Sequence, residues 1–191
     1  MIIGITGGTG SGKSTLLQLI ADKGGMILDC DAIYHQLLRT DAALLSSIES
    51  RFPDTVTDGV LNRKKLGAIV FEDETALQEL NKITHSAVKA EILRRLEEKP
   101  SIAAIDAISL FEGELASICD ITIAITAPVE DRVKRIMARD GITEEYARSR
   151  IAAQHSDEWF VHKCNYVLEN TGTSEDFQVK CIAFLRKTGI I

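Results

Sequence analysis

One octapeptide near the N-terminus limits what this chain can fold into more than any other feature. Residues 7–14 read GGTGSGKS, which matches the pattern GxxxxGK(S/T). The apolar residues 2–6 precede it, and residues 13–20, with leucine and isoleucine at helical spacing, follow it. Glycine lets a backbone approach an anion closely, and the first amides of a helix carry partial positive charge. The sequence therefore predicts a strand, a phosphate-binding loop and a helix in that order.

Each position of this loop suits a nucleoside triphosphate. Successive backbone N–H groups can surround the phosphates, the Lys13 side chain can reach the β- and γ-phosphates, and the Ser14 hydroxyl can bind Mg²⁺. We therefore predict that the nucleotide is bound by Gly8, Thr9, Gly10, Ser11, Gly12, Lys13, Ser14 and Thr15.

Length and charge exclude several classes of protein. The chain of 191 residues suits one domain with room for an insertion, and its net charge of −6 argues against a basic nucleic-acid-binding face. The four cysteines lie far apart, without a metal-ligand pattern, as expected for free thiols in a reducing compartment. No signal peptide and no membrane-spanning apolar run is found. We expect a cytoplasmic protein that binds neither nucleic acid nor membranes.

Short apolar runs alternate with helical patterns, which is typical of an α/β fold with a parallel sheet. Most of these runs are apolar throughout, as expected when helices cover both faces of the sheet. We predict a P-loop NTPase fold, with a five-stranded parallel sheet flanked by helices and a last helix over residues 174–187. The predicted strands are residues 2–6, 26–28, 102–105, 121–125 and 166–168.

A helical insertion is predicted at residues 31–100, where no convincing strand is found. Asp31, Asp41 and Asn62 are candidate N-caps of helices that start just after them. A substrate-binding insertion and an ordinary crossover helix with extra packing explain this pattern equally well. The insertion ends in a long amphipathic helix whose apolar side is formed by Leu77, Leu80, Ile83, Val88, Ile92 and Leu96.

Residues 128–155 are predicted to form a helical hairpin, with a turn at Asp140-Gly141 and Thr143 as the second N-cap. A mobile cationic lid and a solvated helical surface are both consistent with its composition. Its arginines are Arg132, Arg135, Arg139, Arg148 and Arg150. The predicted nucleotide-binding core is formed by the remaining residues, 1–30, 101–127 and 156–191.

Two classes of nucleotide-binding protein compete at this point, small-molecule kinases and nucleotide-driven switches or motors. A GTPase needs an NKxD motif after a strand, whereas the only Asn-Lys pair, at residues 81–82, is followed by Ile-Thr in a helical stretch. An arginine-rich lid favours a kinase, because such a lid excludes water and neutralises charge on the transferring group. Another nucleoside or nucleotide kinase, and a nucleotide-binding regulator without turnover, remain alternatives.

Seven segments match the pattern of a known family in the family's order: residues 3–15, 28–31 (LDCD), 61–71, 83–85 (ITH), 106–112, 139–154 and 170–172 (NTG). In these segments the chain resembles the dephospho-coenzyme A kinases, and the resemblance runs over nearly its whole length. It departs from the family's usual sequence at Ile108 and Ser86, where proline is common.

The resemblance implies transfer of the ATP γ-phosphoryl group to the ribose 3′-hydroxyl of dephospho-coenzyme A. The products are coenzyme A and ADP, and Mg²⁺ is the cofactor. In this reading Asp31 accepts or orients the proton of the acceptor hydroxyl, Lys13 holds the donor and Arg139 contacts the transferring phosphate. Arg148 or Arg150 is the alternative lid arginine, and an N-cap is the alternative role of Asp31.

The same resemblance assigns the remaining candidates. Arg63, His85 and Asp106 join Asp31 at the acceptor, and Asn170 and Gly172 lie near the adenine. The alternative for His85 is a packing role in its helix, and the alternative for Asp106 is a turn residue at the end of a strand. Asp106 also follows an apolar run, so that Asp106 or Asp29 can contact Mg²⁺ through bound water. The expected partners are ATP and dephospho-coenzyme A, and both a monomer and a small homo-oligomer are consistent with the sequence.

Overall fold

The strand β1 (Ile2–Thr6) lies at the centre of the main sheet, and its last four residues are buried. The computed structural model describes residues 1–191 and contains two units, Met1–Leu28 with Lys99–Ile191 and Asp29–Glu98. The other strands are β2 (Met26–Asp29), β3 (Val56–Thr57), β4 (Val60–Leu61), β5 (Ala103–Asp106), β6 (Ile121–Thr126) and β7 (Tyr166–Glu169). The main sheet has the order β2-β5-β1-β6-β7, and the predicted five-stranded parallel sheet is confirmed.

The register of the sheet brings the carboxyl ends of its central strands to one edge. Ile5 in β1 lies opposite Asp106 in β5 and Ile123 in β6, and Thr126 in β6 lies opposite Glu169 in β7. Ligands of parallel α/β proteins bind at this edge. Four segments of the chain follow the strands at this edge of the sheet, namely residues 7–12, 107–115, 127–128 and 170–173.

Helices supply most of the remaining structure: α1 (Lys13–Ala21), α2 (Cys30–Thr40), α3 (Ala42–Arg51), α4 (Arg63–Val70), α5 (Glu74–Leu96), α6 (Val129–Asp140), α7 (Glu144–Ala152), α8 (Asp157–Lys163) and α9 (Ser174–Lys187). In the first unit α1 packs against α9, and Ile20 and Leu185 are fully buried in a core that includes Ile3 and Ile123. The predicted last helix is α9. None of the helices combines the length and apolarity that crossing a membrane requires.

The second unit consists of α2–α5 and the β3–β4 hairpin. Helix α5 contacts α2, α3 and α4, and the predicted caps Asp41 and Asn62 accept hydrogen bonds from the first turns of α3 and α4. The predicted apolar side of α5 is partly wrong, because Leu77 is exposed. The buried positions recur every fourth residue, as neighbours on one face of a helix do, and are Ala76, Leu80, Thr84, Val88 and Ile92.

Three local features differ from the sequence prediction. Asp29, not Asp31, caps α2, because the helix begins at Cys30 and the Asp29 carboxylate accepts a hydrogen bond from the Ala32 amide at 2.9 Å. The β3–β4 hairpin was not predicted, although its turn residues Asp58 and Gly59 have the positive φ angles that such hairpins favour. Helix α8 was not predicted either.

Helices α6 and α7 form the predicted hairpin, with Gly141 ending the first helix at a φ of 65° and Thr143 capping the second. A small apolar cluster joins them, in which Val133, Ile136 and Ala147 are buried. This cluster is separate from the main core, so the hairpin has a core of its own.

Candidate active site

Residues 7–12 form a loop whose shape depends on glycine. Gly7, Gly10 and Gly12 have φ angles of 134°, 77° and 103°, a region that other residues rarely adopt. A Cβ on Gly7 would lie 2.1 Å from the Ile125 carbonyl oxygen. Gly12 is the N-cap of α1 and has no side chain that could cap the helix, and an uncapped helix N-terminus is a place where anions bind.

Polar side chains of the loop are suited to phosphate. The Lys13 ammonium donates to the Gly7 carbonyl at 2.8 Å, which holds it beside the loop. The Ser11 hydroxyl is buried without a hydrogen-bond partner, a cost that a bound anion can remove. Loop, lysine and helix N-terminus together form a site for a multiply charged phosphate.

A cavity of about 510 Å³ adjoins this loop on the side of the last strand. It brings together several of the residues that the sequence assigned to the nucleotide, namely Gly12, Ser14, Thr15, Asn170 and Gly172. The Asn170 amide donates to the Ser11 carbonyl at 2.7 Å and its own backbone N–H donates to Thr126. The loop after β7 is thereby tied to the phosphate loop.

Two arginines of α6 contact the backbone of the phosphate loop. Arg132 Nε donates to the Thr9 carbonyl at 2.9 Å, and Arg135 Nη1 donates to the Gly10 carbonyl at 3.2 Å. Burial lowers the pKa of the Arg132 guanidinium, and Asp157, which accepts from it at 3.0 Å, opposes this shift. Burial also raises the pKa of the Asp157 carboxyl, against the effect of Arg132. The sequence showed both only as arginines of the predicted hairpin and did not indicate these contacts.

Arg139, the candidate for the transferring phosphate, makes a different contact. Its guanidinium forms two hydrogen bonds with the neighbouring Asp140, which also accepts from Arg150. These bonds, that of Arg139 foremost, hold the pKa of Asp140 at about 2. Arg148 pairs with Glu130 and Glu144 instead. The structure thus places Arg139 in an ion pair within the hairpin, with its side chain largely exposed.

The candidate carboxylates lie at the ends of strands or just beyond them. Asp106 is the last residue of β5 and lies opposite Ile5, two residues before the phosphate loop. Asp29 ends β2, and Asp31 is exposed in the first turn of α2.

The other acceptor candidates belong to the second unit. Arg63 begins α4 and His85 is half-buried on α5. Tyr34, one helical turn after Asp31 in α2, was not identified from the sequence. Burial raises the Tyr34 pKa, and the charge of Arg63 opposes this, so Arg63 lies near Tyr34. A helical tyrosine carries no sequence signal that separates a binding role from packing.

A second and larger cavity, of about 720 Å³, lies between α6, α8 and the ends of β6 and β7. Arg132, Gln154 and Asp157 line it, together with His155, whose ring stacks on Trp159 at 3.9 Å. His155 also lies 2.6 Å from a Glu112 carboxylate oxygen in the segment after β5. The sequence did not indicate this cavity, because its walls come from three separate segments of the chain.

Several proteins similar in sequence to this chain are named dephospho-CoA kinase. A family model described as dephospho-CoA kinase matches residues 1–176. A protein of Thermobifida fusca named dephospho-CoA kinase is 36% identical over 182 residues, which cover 93% of this chain and 91% of that one. A protein of the same name from Bacillus cereus is 34% identical over 197 residues, covering 100% of this chain and 98% of its own.

Solved structures agree with these relatives. A dephospho-CoA kinase from Campylobacter jejuni superposes with a TM-score of 0.69 and 26% identity, covering 100% of this chain and 98% of that chain. The Thermus thermophilus protein TT1252 gives a TM-score of 0.81 with 33% identity, covering 98% and 97%. A shikimate kinase from Bacteroides thetaiotaomicron, with a TM-score of 0.56, 15% identity and coverage of 99% and 98%, shares the fold alone.

Proposed function

The chain belongs to the dephospho-CoA kinase family, and from this premise we propose how its residues perform the reaction. The reaction is ATP-dependent phosphorylation of the ribose 3′-hydroxyl of dephospho-coenzyme A, which gives coenzyme A and ADP in the final step of coenzyme A biosynthesis. The observation that supports the assignment most directly is the glycine-dependent loop at the carboxyl edge of the sheet, with Lys13 beside it.

The donor side consists of residues 8–15 with Asn170 and Gly172. In phosphoryl transfer the protein contributes mainly positioning and electrostatic stabilisation. The loop amides and Lys13 hold the ATP phosphates, and the cavity beside Asn170 is the place for the adenosine. Arg139 reaches the transferring phosphate once its pair with Asp140 opens, since an arginine there stabilises the charge of the transition state.

Ser14 is suited to hold Mg²⁺ together with the phosphates. Its side chain is exposed in the first turn of α1 and lines the nucleotide cavity. No cluster of three or more His, Cys, Asp or Glu side chains forms a protein metal cage, and Mg²⁺ at kinase sites takes most of its ligands from phosphates and water. Mg²⁺ held by Ser14 would supply charge neutralisation at the ATP phosphates, and Asp29 or Asp106 would be suited to hold a water molecule of that ion.

The acceptor side is assigned to Asp31, Arg63, His85 and Asp106. Asp31 is the general base or orienting carboxylate, because it is exposed just beyond the end of β2 and the capping role belongs to Asp29. The cationic Arg63 is suited to a phosphate of the acceptor. The second unit, Asp29–Glu98, is thereby proposed as the acceptor-binding unit. The hairpin of residues 128–155 is proposed as the lid, and the remainder as the nucleotide-binding core.

The deciding experiment is a coupled ADP-release assay with Mg-ATP and dephospho-coenzyme A, with adenosine, AMP and no acceptor in parallel. We expect ADP only with dephospho-coenzyme A, together with the appearance of coenzyme A. Turnover of another acceptor would assign the chain a different kinase activity. ATP binding without turnover of any acceptor would favour a nucleotide-binding regulator.

We extend the proposal to the cell compartment and the assembly state. Free thiols at Cys30, Cys119, Cys164 and Cys181 suit the reducing cytoplasm. Burial raises the pKa of Cys119 to about 12 and that of Cys181 to about 11, so these thiols are unreactive. The enzyme acts as a monomer or a small homo-oligomer, which sedimentation velocity distinguishes.

A further inference from the structure

We propose that Arg132 and Gln154 are positioning residues for the donor phosphates. They bind the backbone of Thr9 and so keep N–H groups of the phosphate loop directed at ATP. This inference rests on the proposed role of the loop as the ATP site. Neither residue has to touch the nucleotide, because each acts through the loop backbone.

Both polar backbone groups of Thr9 are bound by these two side chains. The Thr9 N–H donates to Gln154 Oε1 at 2.8 Å, and the Thr9 carbonyl accepts from Arg132 Nε at 2.9 Å. Arg132 Nη2 also approaches Gln154 Oε1, at 3.5 Å, so the two side chains meet at the same oxygen. Thr9 therefore has a hydrogen-bond partner on each side that comes from the hairpin and not from the loop.

Because each peptide bond is planar, these two contacts also determine the direction in which the neighbouring N–H and C=O groups of the loop point. In a planar trans peptide the C=O of one residue and the N–H of the next point in opposite directions. Holding the Thr9 carbonyl on Arg132 turns the Gly10 N–H toward the opposite side of the loop. Holding the Thr9 N–H on Gln154 turns the Gly8 carbonyl away from Gln154, and this carbonyl accepts from the Ser11 N–H at 3.2 Å.

Arg132 is fixed in place. Its side chain is only 3% exposed, and its Nη1 donates to Asp157 at 3.0 Å. A Cβ on Gly8 would lie 2.0 Å from Arg132 Nη2, so glycine at this position provides room for the guanidinium. Because a buried cation with fixed partners cannot move freely, Arg132 forms a rigid support for the loop.

The two residues lie at the two ends of the helical hairpin. Arg132 is in the first turns of α6, and Gln154 follows the end of α7. Arg139 lies two turns after Arg132 on the same helix. The contacts on Thr9 therefore fix the base of the hairpin to the loop that holds the donor.

A positioning role and a merely structural role give different results in solution. A structural role lowers thermal stability but leaves the ATP affinity of the folded enzyme unchanged. A positioning role lowers ATP affinity and leaves the KM for dephospho-coenzyme A unchanged, because neither residue belongs to the second unit. ATP affinity, which does not require turnover, is therefore the decisive measurement.

The test uses Gln154→Met in the full chain, which keeps the length of the side chain but removes the strong acceptor. We expect the ATP Kd from isothermal titration calorimetry and the ATP KM to rise roughly 10-fold, as for the loss of one partly buried hydrogen bond. The KM for dephospho-coenzyme A is expected to stay within about twofold. Gln154→Glu keeps an acceptor for both Thr9 and Arg132 and should restore ATP affinity to within roughly threefold. Gln18→Met, on the exposed side of α1, is the matched control and should behave as wild type.

Lys13→Ala, measured in the same titration, distinguishes a failure of the positioning role from a failure of the proposed ATP site. Loss of ATP affinity in Lys13→Ala with unchanged affinity in Gln154→Met overturns the positioning role alone. Unchanged affinity in Lys13→Ala overturns the proposed ATP site and the positioning role with it. If Gln154→Glu binds ATP as weakly as Gln154→Met does, the inference is also overturned, because loss of the hydrogen-bond acceptor then does not explain the loss of ATP affinity. If Gln154→Met fails to fold, the ATP affinities of Gln154→Glu and Arg132→Lys are compared instead. In that case wild-type ATP affinity in Arg132→Lys overturns the proposal.

Discussion

Asp29 and Asp31 are two residues apart but occupy different positions in α2. The Asp29 carboxylate accepts the Ala32 N–H and begins the helix, whereas Asp31 is exposed in its first turn. A cap contributes about 1 kcal/mol to stability, while an acid–base group contributes to the rate. We therefore expect Asp29 to contribute to stability and Asp31 to contribute to catalysis, although the two lie within one helical turn.

Substituting each aspartate tests this division. We expect Asp31→Asn to lower turnover at least ~100-fold with little change in ATP affinity or in the free energy of unfolding. Asp29→Ala should lower the free energy of unfolding by about 1 kcal/mol. Steady-state kinetics and urea unfolding of both variants provide the comparison. Near-normal turnover in Asp31→Asn would show that another carboxylate faces the acceptor.

At the scale of elements, the hairpin of α6 and α7 is stabilised by its own small core and by charge. Asp140 is bound by Arg139 of α6 and Arg150 of α7, and Arg148 of α7 pairs with Glu130 of α6. Exposed pairs of this kind contribute little energy each. Their contribution here is to the geometry of the hairpin, since Asp140 fixes the direction of Arg139.

The contribution of Asp140 depends on pH in a defined direction. Hydrogen bonds from Arg139 and Arg150 lower its pKa from 3.8 to about 2. A carboxyl with a depressed folded-state pKa stabilises the fold above its unfolded pKa and loses this contribution as pH falls through the folded pKa. We expect the stability difference between wild type and Asp140→Asn to be constant over roughly pH 5 to 7 and to shrink steadily as the pH falls from about 4 through about 2. Urea midpoints across this range measure it.

The control for this titration is Glu175→Gln, which removes one exposed negative charge outside the hairpin. Its difference from wild type should not follow the same window. A stability gap for Asp140→Asn that stayed at its full size from pH 5 down to pH 2 would contradict the assignment of the low pKa to Asp140.

Helix α4 contains a glycine that its backbone does not require. Gly67 lies inside the helix without a positive φ, and an added Cβ would meet only the ring of Phe71 at 3.3 Å, a side chain that is 86% exposed. Gly67→Ala should raise the free energy of unfolding by about 0.5–1 kcal/mol. Gly24→Ala has open space but a φ of 79°, and it should lower stability. If urea unfolding showed that both substitutions change the free energy of unfolding in the same direction, this account would be refuted.

At the scale of the whole molecule, the two units have separate chemical tasks in the proposed reaction. The first contains the phosphate loop and the cavity beside Asn170, and the second, Asp29–Glu98, contains Asp31, Arg63 and His85. A ligand slows hydrogen exchange where it is bound, because it stabilises the closed backbone there.

We therefore expect two distinct patterns of hydrogen exchange. Mg-ATP alone should slow exchange in residues 8–15 and 170–172, whereas dephospho-coenzyme A alone should slow exchange within residues 29–98. Lys13→Ala serves as the control, since it should lose the first pattern and keep the second. If dephospho-coenzyme A leaves residues 29–98 unchanged, the acceptor is bound elsewhere.

Local patterns in the sequence were sufficient for much of the fold. The five strands, the phosphate loop, the hairpin and the caps Asp41, Asn62 and Thr143 all follow from short-range periodicity or from hydrogen bonds within one turn. The nucleotide loop was identified for the same reason, because its glycines, lysine and serine are consecutive. The β3–β4 hairpin also had a local signal, Asp58-Gly59, which its two-residue strands made hard to read.

Tertiary structure decided which side chains work together. Arg132, Arg135 and Arg139 look equivalent on a helical face, yet two contact the phosphate loop and the third pairs with Asp140. The contact between Thr9 and Gln154 joins residues 145 positions apart. No local pattern contains such a contact, because it depends on where the chain returns in space. The sequence alone thus determined the elements and the phosphate-binding motif, and only the packing of distant segments determined what surrounds that motif.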